Sequence, residues 1–129
     1  MDKAQALYSF WSSFDWPALN EQGSYDEVNL SDLDIEDRYI LYEVQTGDYQ
    51  TEIPLTASLF HHSMSEETVS KKAQEIADYI GEGVKVFTID GGYLWIKRRN
   101  PFSQPMRDES NPDWRRTIIN ISVEFLTAT

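Results

Sequence analysis

Between Ser65 and Ile80 the apolar residues Val69, Ala73, Ile76, Ala77 and Ile80 recur at the three- and four-residue spacing that lines one side of a helix. A helix with a single apolar stripe must bury that stripe against another layer. The segments on either side read as strands, so the partner layer is a sheet. Before the helix, "IPLTASLFHH" (53–62) alternates Ile53, Leu55, Ala57 and Leu59 against Thr56, Ser58 and Phe60, the period of a strand with one buried face. Pro54 argues for a strand end or an edge at that point. Ser63 and Glu66 have capping-box spacing, with Ser65 as the rival N-cap. Gly81 and Gly83 are placed to end the helix in the left-handed manner.

Three more strands are expected after the helix, at 84–89, 92–98 and 117–126. Asp90-Gly91-Gly92 is a hairpin turn between the first two. In the last strand Ile119, Ile121, Val123 and Phe125 point inward, and Asn120, Ser122 and Glu124 outward. Upstream, "YILYEVQ" (39–45) places Ile40, Tyr42 and Val44 on one side. A first helix spans Lys3 to Phe14, with Ala6, Leu7, Phe10, Trp11 and Phe14 at helical spacing and Asp2 as N-cap. Trp16-Pro17 ends it, because the residue before a proline is pushed out of the helical region.

The 129 residues make one domain by length. It divides into an N-terminal helix (1–17), an acidic loop (18–38) and an α+β core (39–129) with an arm at about 97–116. The expected fold is a mostly antiparallel four- to five-stranded sheet with two helices packed on one face. The acidic loop is long for structureless chain in a small domain, which points to a functional surface or an unseen short element.

No set of residues selects a catalytic chemistry. His61 and His62 are the two histidines of the chain, and neighbours on a strand point to opposite faces, so they cannot chelate one ion. "GEGVKVFTIDGG" lacks the G-x-G-x-x-G order and a helix to receive a phosphate. "DLDIEDRYILYE" lacks the glycine and ligand spacing of an EF-hand, leaving at most a weak cation site. There is no G-x-S-x-G elbow and no cysteine. The expectation is a protein that is not an enzyme and holds neither cofactor nor metal. No apolar run approaches the roughly 20 residues of a membrane helix, and the N-terminus does not read as a secretory signal.

Charge is the other strong signal. The net charge is −11, yet the stretch from Leu94 to Arg116 carries six of the eleven basic residues, two tryptophans, a phenylalanine and three prolines. From Asp15 to Glu52 there are eleven acidic residues and one basic residue, Arg38. An acidic balance of this size repels nucleic acid from most of the surface. The acidic run reads either as a solvated face or as a surface that stays near DNA without holding it. The basic, aromatic arm suits protein recognition, since interfaces favour Trp, Phe, Met and Arg anchors. Its candidate partner-binding residues are Trp95, Lys97, Arg98, Arg99, Pro101 and Phe102, followed by Gln104, Met106, Arg107, Trp114 and Arg115.

The succession "RYILYEVQTG", "IPLTASLFHHSMSEETVSKKAQEIADYIG" and "DGGYLWIKRRNPFSQPMRDESNPDWRRTIINISVEFL" resembles the tail terminator (tail completion) proteins of long-tailed bacteriophages. These are also called minor capsid or head–tail joining proteins. The likeness covers roughly residues 38–128 and rests on the order of elements, with no catalytic signature in it. It implies a small α+β subunit that assembles as a hexameric ring, caps the tail tube and ends its polymerisation. It also implies contacts with the tail tube protein and with a head-completion or neck protein. DNA would pass through the lumen without specific binding, in the virion tail or neck after assembly in the host cytoplasm. Family members use long inter-strand loops for such contacts, and the irregular segment 100–113 is the loop in the matching place. Asp26, Glu27, Asp32, Asp34, Glu36 and Asp37 are the candidate acidic lumen. A neighbouring neck or head-closure protein would show the same order of elements. A phage-encoded acidic protein that binds a host factor is the reading from a different class.

Overall fold

One strand, Trp114–Thr127, runs through the middle of a six-stranded sheet and has a neighbour along each side. The computed structural model describes residues 2–20, 38–44, 52–63, 65–106 and 114–127. In chain order the elements are α1 (Lys3–Ser12), β1 (Ala18–Asn20), β2 (Arg38–Tyr42), β3 (Ile53–His62), α2 (Glu67–Ile80), β4 (Lys85–Ile89), β5 (Gly92–Met106) and β6 (Trp114–Thr127). The sheet order is β1-β2-β3-β6-β5-β4. β1 and β2 are parallel and every other pair is antiparallel. The α+β class therefore stands, but the sheet is mixed and has six strands where four or five were expected.

The sixth strand is β1. It lies in the stretch expected to be all loop and pairs Ala18, Leu19 and Asn20 with Ile40, Leu41 and Tyr42. The Ile40 amide donates to the Pro17 carbonyl at 2.7 Å, which carries the pairing one residue further. Three residues are too few for a period-two pattern to register, but the hint of an unseen short element was sound.

The inward residues follow the alternation read from the sequence. Leu55 faces Ile121, Ile53 faces Val123 and Ala57 faces Ile119 across the β3–β6 ladder. Leu94 and Ile96 of β5 sit beside Phe125 and Val123. All are buried, and they form one cluster with Ala6, Leu7, Phe10 and Trp11 of α1 and Val69, Ala73, Ile76 and Ile80 of α2. Both helices thus cover the same face. Phe10 is the aromatic hub, edge-on to Trp11, Phe14 and Phe87 with ring centroids 4.7, 5.3 and 6.0 Å away. Lys72 ties α2 to the turn that follows α1: its ammonium donates to the Phe14 carbonyl at 2.8 Å and sits 5.7 Å from the Trp16 ring.

The helix ends differ from expectation in instructive ways. Asp2 is the N-cap of α1 in a complete capping box, accepting from the Gln5 amide while the Gln5 side chain accepts from the Asp2 amide. The helix stops at Ser12, ahead of Trp16-Pro17. The Ser12 and Ser13 hydroxyls donate back to the Ser9 and Phe10 carbonyls, and Asp15 turns the chain with φ +63°. Local hydroxyl bonds of this kind compete with helix continuation. In α2 no capping box closes. Glu66 is the N-cap without a side-chain bond, and Ser65 and Ser63 instead accept from the Glu67 and Ser65 amides. Gly81, with φ +78°, ends α2, while Gly83 does not take a positive φ.

The largest departure lies in the arm. β5 runs to Met106 and β6 starts at Trp114, so most of 97–116 is a long hairpin and not an irregular loop. Residues 107–113, including Arg107, lie outside the described residues, as do the six acidic lumen candidates, Asp26 to Asp37.

Phe10→Ala is expected to cost about 3–5 kcal/mol, the usual range for emptying an aromatic core site, measured by chemical denaturation. A second expectation concerns Tyr42, which is buried and stacked on Trp11 with ring centroids 6.3 Å apart. Burial, with a smaller contribution from nearby Tyr8, raises its phenol above the ordinary 10.0. The neutral phenol is the folded form. Its stabilising share is therefore whole below pH about 10 and is lost as pH rises through the raised value. Tyr42→Phe should keep its melting temperature further into the alkaline range than the parent chain.

Candidate functional site

Among the described residues the helices pack on one face of the sheet; the other face, called open here, combines buried Tyr39, Ser58 and Ser122 with more exposed neighbours. Alternation along each strand decides who occupies it. Across β2, β3 and β6 the outward residues include Tyr39, Phe60, His62, Trp114, Arg116 and Ile118. Tyr39 stacks on Phe60 with centroids 4.8 Å apart and meets Trp114 edge-on at 5.8 Å. His62 lies 5.2 Å from Trp114. Arg116 reaches across β3, its guanidinium 5.4 Å from the Phe60 ring and its Nε donating to Ser58 Oγ at 3.1 Å. Cation–π and hydrogen-bond contacts of this sort orient the arginine as well as hold it.

The β5–β6 pairing supplies the second half of the surface. Its register breaks between Arg98 and Ser103: Arg98 faces Ile121 and Ser103 faces Ile119, so β5 spends five steps where β6 spends two. An odd number of steps on one strand reverses the parity of everything beyond it. Gln104 and Met106, on the same parity as inward Arg98 by simple counting, are therefore turned outward opposite Ile118 and Arg116. Asn120 pins the bulge from β6, donating to the Pro101 carbonyl at 2.9 Å and to Gln104 Oε1 at 3.0 Å. The Asn100–Pro101 peptide is cis.

The candidate residues named from sequence thus separate into three places. Trp95, Lys97, Gln104, Met106 and Trp114 share the open face. Arg99 and Pro101 are exposed on the bulge. Arg98 and Arg115 point to the helix side, Arg115 opposite His61. Phe102, expected to be an anchor for a partner, is half-buried and packs against the protein's own core. Lys97 forms an ion pair with Glu52. Sequence reasoning missed Tyr39, Phe60 and Arg116 as parts of the same surface. The signal was available in the aromatic residues at outward positions of otherwise well-alternating strands.

No protein-family model, no curated protein and no solved structure matches this chain.

Among the described residues no group of three or more His, Cys, Asp or Glu side chains could hold a metal ion. No described helix is long and apolar enough to cross a membrane. Clefts near the arm include one of about 330 Å³ beside Arg98, Asn100 and Phe102 and one of about 260 Å³ beside Arg99, Pro101 and Asn120. A third, of about 110 Å³, lies between Trp95, Lys97, Glu52 and Ser122. Tyr39 is buried at 4% exposure and Phe60 lies between it and Arg116, so the large apolar side chains this face leaves exposed among the candidate residues are Trp95 and Met106.

The different placements of Phe102 and Met106 can be separated by experiment. Phe102→Ala should lower unfolding free energy by about 1–3 kcal/mol, whereas Met106→Ala should stay within about 0.5 kcal/mol. Thermal or urea unfolding of the two variants checks this.

Proposed function

We propose that this protein is a structural virion component: a subunit of a ring that caps a phage tail tube, ends its polymerisation and provides the head–tail joining face. The observation that carries the reading is the two-sided sheet. One face is sealed by helices, and the other presents aromatic and basic residues from a long hairpin on a chain of net charge −11. A surface of that composition binds a partner by shape and anchors, without a constellation for bond making or breaking. In this reading the protein works by assembly.

In this reading the hairpin meets the tail tube protein or the neighbouring subunit, and another surface meets the head-completion protein. The likeness in element order to tail terminators supports the ring. The excess of negative charge supports a lumen through which DNA slides without being held, because a polyanion finds no counter-charge to release ions against. The protein would work in the virion tail or neck, after assembly in the host cytoplasm.

Electron microscopy of the protein mixed with tail tubes tests the proposal. Rings, and tubes of uniform length capped at one end, are the expected result. The Arg99→Ala/Met106→Ala double variant changes two exposed residues and should remain folded while capping at least about tenfold less well, the loss of two interface contacts. Tubes that continue to grow in the presence of the parent protein, with no ring at their ends, would overturn the reading.

A further inference from the structure

Large apolar side chains left exposed among the described residues concentrate at one corner of the sheet. Val84, Val86, Tyr93 and Trp95 are 43, 49, 52 and 39% exposed. Val86 pairs with Trp95 and Thr88 with Tyr93, so these side chains share the open face. β4 is the last strand in the sheet order, and among the described residues no strand pairs with its far side. Natural edge strands are guarded by charge, proline, a bulge or a cover. β4 reads Lys-Val-Phe-Thr-Ile, and its one charge, Lys85, is turned to the helix side with its ammonium 4.4 Å from the Tyr79 ring. This edge is open, β-prone and apolar.

The other end of the sheet is β1, three residues long. Counting directions through the pairings, β1 and β2 run one way, β3 the other, β6 back, β5 opposed and β4 back again. β1 and β4 therefore run in the same sense. Copies of this chain set side by side with their sheets aligned would bring β4 of one against β1 of the next as parallel strands.

Charge points the same way. β1 lies within the stretch from Asp15 to Glu52, with its eleven acidic residues and one basic residue. β4 is bordered by Lys85, Lys97 and Arg98; Lys97 is paired with Glu52 of its own chain and Lys85 lies over the Tyr79 ring, so Arg98 is the cation best placed to meet a neighbour's acids. Pairing β4 with a second β4 would instead bring like groups together and close at two copies.

We propose that the β4 edge docks onto the β1 edge of a second copy of this chain, extending the sheet from subunit to subunit and covering Val84, Val86 and Trp95. The contact is head to tail, so each added copy leaves one edge of each kind, and the series ends only by closing into a ring. It rests on the ring-forming reading above and specifies which surfaces make the ring.

The chain has no cysteine, which makes cross-linking clean. Leu19, by its pairing with Leu41, lies on the same open face as Val86. Leu19→Cys and Val86→Cys variants are purified separately, checked for folding by thermal melts, mixed, and treated with a short bismaleimide; Val84→Cys replaces Val86→Cys if that variant fails to fold. The expected result is a cross-linked dimer from the mixture, none from either variant alone, and a ladder of higher species from the Leu19→Cys/Val86→Cys double variant. Self-linking of Val86→Cys would overturn the proposal in favour of a two-fold β4 contact. Oligomers of measured mass that never cross-link would overturn it while leaving the ring intact. A monomer that never cross-links, alone or with tail tubes, would overturn it too, and the capping assay would judge the function separately.

Discussion

The structure depends on β6 being hydrogen-bonded on both sides while it presents Ile119, Ile121, Val123 and Phe125 to one face. Those four side chains are fully or almost fully buried, and each lies beside an inward residue of β3 or β5. α1 and α2 bury their stripes in one cluster with these side chains. A residue removed from β6 would shift every partner by one and turn the apolar row to solvent. That penalty is what holds the register of β3 against β6 over ten consecutive pairs. The bulge in β5 lies opposite Ile119 and Ile121 of β6, and there Phe102 packs against the core.

The legible parts of the fold were those with enough repeats to show a period. β3 was read to the residue, 53–62, and the inward rows of β3 and β6 were read correctly. So was the α2 stripe. β1 was not legible, since three residues contain no period and its pairing with β2 is a matter of tertiary position. The capping of α2 was misassigned because Ser63, Ser65 and Glu66 offer overlapping local bonds, and the turn selected two serine-to-amide bonds over the box. The arm was read as irregular for a physical reason. Pro101 and Pro105 interrupt the strand signal, and the bulge reverses the parity beyond it, so no single alternation fits 92–106.

The candidate site was legible as a composition but not as a surface. Counting charges and rings located the basic, aromatic segment correctly in the chain. It did not divide that segment into an outward row, a bulge and a helix-side row, because the division follows from the pairing register. Phe102 shows the difference most clearly: a large apolar residue beside a proline in a basic stretch looks like an anchor, and here it packs inward. Tyr39 and Phe60 show the converse. They come from strands that looked ordinary, and they meet Trp114 only because β2, β3 and β6 are adjacent in space.

The gathering of positive charge on one hairpin of an acidic chain can then be understood in two parts. Some of it is structural: Arg116 is tied to Ser58 and Phe60, and Lys97 to Glu52, so these cations hold the hairpin against β3 and against the segment preceding it. Arg99 and its neighbours on the bulge are placed differently, raised on an exposed turn that Asn120 fixes from the adjacent strand. In the proposed contact a braced turn has little backbone freedom left to lose when a partner arrives, and preorganisation of this kind lowers the cost of binding. Strand pairing on both sides of the bulge supplies that bracing. The same pairing that places the hairpin in the sheet thereby braces the bulge that carries the candidate binding residues of the proposed contact.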